Sequence, residues 1–142
     1  MIIGKAVLMT ARRAFQGALV LLGLVIVGTA GIDLALGPFA VPGDHRINAS
    51  LDNNYRFFAG VWLALGLVLL SAVRRAPHAT GAVRVVCAAT FAGGLARLLS
   101  LAAAGASEPL YLAFIGIELV VPAALVLWQN RLIARDPAPA PA

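Results

Sequence analysis

The chain has 142 residues, of which 61% are hydrophobic and 12% charged, against about 25% charged in a typical soluble domain. This composition excludes an ordinary water-soluble protein, and the apolar segments leave too few residues for a separate soluble domain. The formal net charge of +5 is compatible with nucleic-acid binding. However, the basic residues flank apolar segments in the pattern of membrane topology signals, so we expect no nucleic-acid partner.

The apolar residues are concentrated in four blocks, each long enough to cross a hydrocarbon core of about 30 Å as a helix. Lipid offers no partners to backbone N–H and C=O groups, so each block must be helical. We therefore predict an all-α integral membrane protein, a bundle of four transmembrane helices in one domain over residues 1–135. The predicted helices cover residues 14–36, 57–73, 83–104 and 110–128, and the Pro/Ala-rich segment 136–142 is predicted to be a disordered tail.

The first connection, residues 38–54, begins after the helix-breaking pair Gly37-Pro38. Asn48 or Ser50 is expected to cap a helix that leads into the second block. Basic residues instead surround the chain ends and the second connection. Because such residues mark the cytoplasmic side, we predict that both termini are cytoplasmic. These residues are Lys5, Arg12, Arg13, Arg74, Arg75, Arg84, Arg131 and Arg135.

Two opposite charges lie inside the third and fourth blocks, namely Arg97 and Glu118. Arg97 precedes Gly105 and Glu118 follows Pro109 by nearly the same number of residues, roughly 12–14 Å along a helix. The two charges thus share one level of an antiparallel hairpin, and the cost of charge in a membrane predicts a buried ion pair. Pro122 also frees the backbone carbonyl of residue 118 as a second acceptor for the guanidinium.

Other polar residues are predicted to extend this pair into a polar vestibule that opens to the extracytoplasmic side. Asp33 and Arg56 lie near outer helix ends, and with Arg97 and Glu118 they balance to zero charge. Ser100 shares a helix side with Arg97 through i, i+3 spacing. Asn54 is placed at the mouth. Two interpretations remain open for the pair, which either fixes helix register or binds a ligand or proton.

Signals for catalysis, metal binding and cofactors are weak. Asp44, His45 and Asp52 share the outer connection, whereas His78 lies on the opposite side of the membrane. No catalytic helix motif, nucleophile elbow or phosphate-binding glycine loop occurs. We assign no catalytic residue, no metal and no cofactor, and we interpret the single Cys87 as a buried structural thiol.

Short motifs carry a family resemblance. Asn54-Tyr55-Arg56 followed by Gly60 and Gly66, then Gly94-Leu95-Ala96-Arg97-Leu98-Leu99-Ser100, then Glu118-Leu119, resembles the bacterial family catalogued as domain of unknown function 4345. The similarity covers about residues 15–128. It implies a small four-helix protein of the bacterial inner membrane in which Arg56, Arg97, Ser100 and Glu118 belong together. It implies no activity.

From these features we expect a non-catalytic accessory or binding protein that associates with another membrane component. The small size, the small-residue helix faces and the missing catalytic motifs favour this role. The alternative is a small carrier, or a protein that binds a lipid or small polar ligand through the charged pair, and an intramembrane enzyme ranks third. The expected partners are the lipid bilayer together with another membrane protein, a second copy of the chain or that ligand.

Overall fold

A computed structural model describes residues 2–43, 46–106 and 108–136, and these form four long helices. The all-α, four-helix prediction is confirmed. Each helix continues beyond its apolar block, because hydropathy marks the stretch suited to lipid and not the point where helical hydrogen bonding stops. The helices are α1 (Ile2–Leu36), α2 (Ala49–Ala72), α3 (Thr80–Ala104) and α4 (Pro109–Arg135). Asp44 and His45 of the first connection, and residues 137–142 of the predicted tail, lie outside the described residues.

The ends of α1 and α2 have identifiable local causes. Beyond α1, Gly37 adopts a φ of +60° and Pro38 lies at the start of a short 3-10 turn, Gly37–Ala40. Glycine reaches this backbone conformation without a steric penalty, and proline cannot donate the next helical hydrogen bond. Before α2, Asn48 Oδ1 accepts a hydrogen bond of 2.9 Å from the backbone N–H of Leu51, which is one of the two predicted caps.

The helices pack as two hairpins, α1 with α2 and α3 with α4, and contacts within each hairpin are far more extensive than contacts between them. Glycines allow this close approach. A Cβ atom added to Gly66 would lie 2.8 Å from the Cγ2 atoms of Ile26 and Val27, and one added to Gly94 would lie 3.0 Å from Leu119. We call the end that carries the α1–α2 and α3–α4 connections the distal end. The proximal end carries the α2–α3 turn, the N-terminal end of α1 and the C-terminal end of α4.

The two hairpins are joined mainly toward the proximal end. There Phe15 of α1 meets Trp128 of α4 edge to face, with ring centroids 5.4 Å apart. Gln129 of α4 donates a 2.7 Å hydrogen bond to a carbonyl oxygen of the α2–α3 turn. Among the described residues, buried positions end at Gly94 along α3 and begin at Pro122 along α4. The distal halves of α3 and α4 are therefore much less covered than their proximal halves.

Large apolar side chains lie on the outside of all four helices. Those on the surface include Leu21, Leu67, Leu99 and Val120. Each helix is long and apolar enough to cross a membrane by length and composition. A continuous apolar exterior of this kind is unfavourable in water and favourable in lipid, so these helices suggest a multi-pass membrane protein.

Candidate functional site

Arg97 of α3 and Glu118 of α4 form an ion pair, so the matching depths correctly predicted their contact. Arg97 Nε donates to both carboxylate oxygens, at 2.9 Å to Oε2 and 3.1 Å to Oε1. Two glycines admit the glutamate. A Cβ atom on Gly94 would lie 3.1 Å from Glu118 Cβ, and one on Gly93 would lie 3.8 Å from Oε2. Because Gly93 and Gly94 have no side chain, the Glu118 carboxylate can lie close to the α3 backbone.

The ion pair is not buried, which corrects the sequence prediction. The exposed fraction is 38% for the Arg97 side chain and 14% for the Glu118 side chain. One hairpin is enough to bring the two charges together, whereas covering them requires the second hairpin, which packs mainly at the proximal end. The hydrogen bonds from Arg97 reach the carboxylate oxygens and not the backbone carbonyl of residue 118.

Two aromatic rings of α4 also hold the guanidinium. Arg97 Cζ lies 5.4 Å from the ring centroid of Tyr111 and 5.6 Å from that of Phe114, which is cation–π geometry. The rings contact each other edge to face at 6.1 Å. Within the described chain, every hydrogen bond of the Arg97 side chain leaves from Nε. The Nε atom of Arg97 is thus held by the Glu118 carboxylate, while its Nη donors remain available for other acceptors.

A second polar contact faces this one from the α1–α2 hairpin. The Tyr55 hydroxyl of α2 donates a 2.8 Å hydrogen bond to Asp33 Oδ1 near the distal end of α1. Tyr55 and Tyr111 are each close enough to Asp33 and to Arg97 to interact electrostatically with both charges. Tyr55 thus contacts the Asp33 carboxylate of one hairpin, and Tyr111 contacts the Arg97 guanidinium of the other.

We call this arrangement the interhairpin cleft, and its members are Asp33, Tyr55, Arg97, Tyr111 and Glu118. A depression of about 420 Å³ opens at the distal end between the two connections, and Tyr111 forms part of its lining. The remaining lining residues are Val41, Pro42, Ala106, Glu108 and Pro109. The depression therefore adjoins Tyr111, whose ring contacts the Arg97 guanidinium.

Sequence reasoning did not include the two tyrosines of the cleft in the predicted vestibule. A signal for Tyr111 was present, because positions 111, 114 and 118 share one side of a helix by i, i+3 and i+4 spacing. For Tyr55 the spacing within α2 offers no such signal. Its bond to Asp33 depends on the relative rotation of two helices, which the pattern of either helix alone does not specify.

Arg56 makes its hydrogen bonds within α2 and at the end of α1, and none of them reaches Arg97 or Glu118. Its Nε donates to Asp52, one turn earlier on α2, at 3.0 Å to Oδ2 and 3.1 Å to Oδ1. Its Nη1 donates to the backbone carbonyl oxygen of Leu34. That carbonyl lacks its usual helical donor because the residue four positions later is Pro38. Local acceptors at the end of α1 therefore hold Arg56.

This change alters the charge of the site. Of the four groups predicted to balance, Arg56 pairs with Asp52, and this leaves Asp33, Arg97 and Glu118 in a separate cleft. The cleft contains two carboxylates against one guanidinium, a formal charge of −1 from Asp33, Glu118 and Arg97.

The remaining predicted residues lie outside the cleft. Ser100 is exposed on α3, one turn beyond Arg97. Asn54 is exposed on α2, where it lines a different shallow depression of about 560 Å³ with Ala49, Ser50 and Asn53. Neither side chain takes part in the hydrogen bonds that define the cleft.

Acid–base and metal chemistry find little support in the arrangement. Across residues 2–43, 46–106 and 108–136, no three His, Cys, Asp or Glu side chains are grouped in a way that could hold a metal ion. Cys87 is buried in the hydrophobic core, away from the cleft. The cleft combines hydrogen-bond donors, carboxylate acceptors and aromatic faces.

Comparison with known proteins adds the family. No curated protein and no solved structure matches the chain. The sequence profile of a protein family matches residues 14–129, which is most of the chain. The chain therefore belongs to the family described as a domain of unknown function (DUF4345).

Proposed function

We propose that this chain is a non-catalytic integral membrane protein whose interhairpin cleft binds a polar ligand from the surrounding membrane or from the adjoining water. One observation carries the proposal. The Arg97 guanidinium is positioned by Glu118 and two aromatic rings, yet the Arg97 side chain is 38% exposed and its Nη donors have no hydrogen bond within the described chain.

The exposure of Arg97 favours ligand binding over a purely structural clasp. An arginine at the centre of a membrane costs at least about 2.5 kcal/mol, and unsatisfied donors add to that cost. An ion pair that served only to fix helix register would be most favourable if all its hydrogen-bond donors had acceptors within the protein. Nη donors without a partner in the described chain lower the free energy only when another molecule supplies acceptors. The accessible pair therefore supports the binding alternative more strongly than the register role.

The distribution of charge supports a multi-pass topology with both termini on the cytoplasmic side. Basic side chains concentrate toward the proximal end, where the α2–α3 turn, the N-terminal end of α1 and the C-terminal end of α4 lie. By the positive-inside rule, that end faces the cytoplasm and the cleft opens on the other side. Family resemblance supports the bacterial inner membrane as the location. The basic residues are Lys5, Arg12, Arg13, Arg74, Arg75, Arg84, Arg131 and Arg135.

A second candidate role is that of an accessory subunit, which the outward face of α4 supports. α4 is the least covered helix. Of the 18 residues in its most apolar stretch, 11% are buried, against 22% in the corresponding stretch of each other helix. A Cβ atom on Gly116 would meet no atom within 4 Å, and the neighbouring Ala113 and Val120 are also exposed. Small residues on a membrane helix permit close approach of another helix.

Native mass spectrometry of protein extracted gently from its own membrane tests the proposal. We expect a non-protein mass to remain on the wild type and to be lost from Arg97→Lys, which keeps the charge opposite Glu118 but removes the guanidinium fork. Arg56→Lys is the matched control, since Arg56 lies outside the cleft. Equal retention by Arg97→Lys and wild type, with both folded, refutes ligand binding at Arg97. A stoichiometric protein partner, lost on Gly116→Leu, would favour the accessory role.

A further inference from the structure

The charges of the interhairpin cleft restrict the chemistry of its ligand. With its carboxylates ionised the cleft carries a formal charge of −1, from Asp33 and Glu118 against Arg97. A simple anion at Arg97 would add negative charge beside two carboxylates in a poorly screened environment. A simple cation would approach Asp33 favourably but would leave the Nη donors of Arg97 without acceptors. Neither class satisfies both sides of the cleft.

We propose that the interhairpin cleft recognises a zwitterion that carries a phosphate next to a primary ammonium, as in a phosphoethanolamine headgroup. This inference rests on the proposed function, because it assumes that the cleft is a binding site. In this arrangement the phosphate accepts hydrogen bonds from Arg97 Nη1 and Nη2, and the ammonium donates to Asp33. The ligand adds no net charge to the cleft.

The surroundings of Arg97 suit a phosphate. Because Nε is occupied by the Glu118 carboxylate, the opposite edge of the guanidinium points away from Glu118. Guanidinium groups bind phosphate oxygens through paired, charge-assisted hydrogen bonds. The Tyr111 and Phe114 rings contact the guanidinium and restrict its motion, which reduces the entropy lost when a ligand binds.

The surroundings of Asp33 suit an ammonium. The Tyr55 hydroxyl occupies Oδ1 and leaves Oδ2 with acceptor capacity. Tyr55 and Tyr111 both lie within electrostatic range of Asp33, and the faces of aromatic rings attract cations. The two ends of a zwitterion would therefore meet a carboxylate with aromatic neighbours on one hairpin and a guanidinium with aromatic neighbours on the other.

The experiment compares defined lipids in nanodiscs that contain equal amounts of phosphatidylethanolamine and phosphatidylglycerol. Native mass spectrometry reads which lipid stays on the protein. For the wild type we expect phosphatidylethanolamine to be enriched about tenfold, as one charge-assisted hydrogen bond would produce. Asp33→Asn still accepts the Tyr55 hydroxyl and should keep its fold, yet it should lose this preference. Asp52→Asn removes the same charge outside the cleft and should keep the preference.

The outcomes separate this inference from the function on which it rests. If the wild type retains phosphatidylglycerol at least as well, and Asp33→Asn changes nothing, the zwitterion inference is overturned while a ligand site at Arg97 stands. If Arg97→Lys retains lipid as well as the wild type, both ideas fail. Addition of free sn-glycero-3-phosphoethanolamine, a soluble phosphodiester that is neutral overall like the lipid headgroup, identifies the source of the headgroup. Displacement of lipid supports the same chemistry in a soluble ligand, and lack of displacement in an otherwise positive experiment supports the lipid itself.

Discussion

Replacing Gly66 by alanine should destabilise the α1–α2 hairpin through a steric contact. The new Cβ atom would lie 2.8 Å from the Cγ2 atoms of Ile26 and Val27. Favourable carbon–carbon contacts begin at about 3.5 Å, so one helix must move by roughly 0.7 Å or more. Ile26 and Val27 are β-branched, and their side chains have little rotamer freedom with which to yield. We expect the overlap to cost about 1–3 kcal/mol, as overpacking of a close contact usually does.

Helix propensity acts in the opposite direction, so a control is needed. Alanine is favoured over glycine inside a helix by roughly 0.5–1 kcal/mol. Gly60 lies on the same helix, and a Cβ atom there would meet nothing within 4 Å. Gly60→Ala should therefore gain the propensity term alone. The difference between the two variants cancels propensity and isolates the overlap cost, which we expect to be about 1–3 kcal/mol.

A third variant tests whether the energetic cost depends on the distance to the contacting atom or on the stiffness of the side chain that carries it. A Cβ atom on Gly23 would lie only 2.6 Å from Leu70 Cδ2, which is closer than the contacts at Gly66. However, that atom is the end of a flexible side chain that can change rotamer. Gly23→Ala should consequently fall between Gly60→Ala and Gly66→Ala in stability.

Stability would be measured by titration with sodium dodecyl sulfate in a mild detergent, with far-ultraviolet circular dichroism as the signal. The free energy of unfolding of each variant is compared at one detergent composition. Equal stability of Gly66→Ala and Gly60→Ala would refute the packing argument. A larger loss for Gly23→Ala than for Gly66→Ala would show that distance alone, and not side-chain stiffness, decides the cost.

Two further predictions concern the first connection and use the same titration. Gly37→Ala should lose about 1–3 kcal/mol because a residue with a side chain is strained at φ +60°, and its Cβ atom would overlap the Arg56 guanidinium at 2.8 Å. Gly37→Asn measures the contact with little backbone strain, because Asn tolerates the left-handed region, and no loss there would contradict the role of the contact. Asn48→Ala should lose about 1 kcal/mol through the missing helix cap, whereas Ser50→Ala should be nearly neutral, and equal losses would argue against the cap.

The sequence predicted those features that depend on one helix or one hairpin. Four long apolar blocks in a chain with few charges require helices, and four helices are observed. The contact between Arg97 and Glu118 depends on two distances along helices from a single short connection, which is why the equal-depth argument succeeded. Its predicted burial depends on how a second hairpin packs, and periodicity within α3 and α4 holds no information on that.

The partners of Arg56 were not foreseen, although the signals for them were present in the sequence. Asp52 lies one turn earlier on the same helix, and Pro38 leaves the Leu34 carbonyl without a helical donor. The same reasoning about proline was applied to Pro122 and the backbone carbonyl of residue 118, where the hydrogen bonds go to the carboxylate instead. At Arg56, the nearby acceptors Asp52 and the Leu34 carbonyl bind the guanidinium in place of a more distant charged group.

The two walls of the cleft belong to different hairpins, and this has a thermodynamic consequence. Asp33 and Tyr55 move with α1 and α2, whereas Arg97 and Tyr111 move with α3 and α4. The contacts that join the hairpins lie mainly toward the proximal end, as between Phe15 and Trp128. A ligand that bridges both walls therefore adds a connection at the end where the protein itself supplies the fewest. Since such a ligand binds only the docked arrangement, mass action makes it stabilise the association of the hairpins, whereas a ligand confined to Arg97 and its own hairpin would leave that association unchanged.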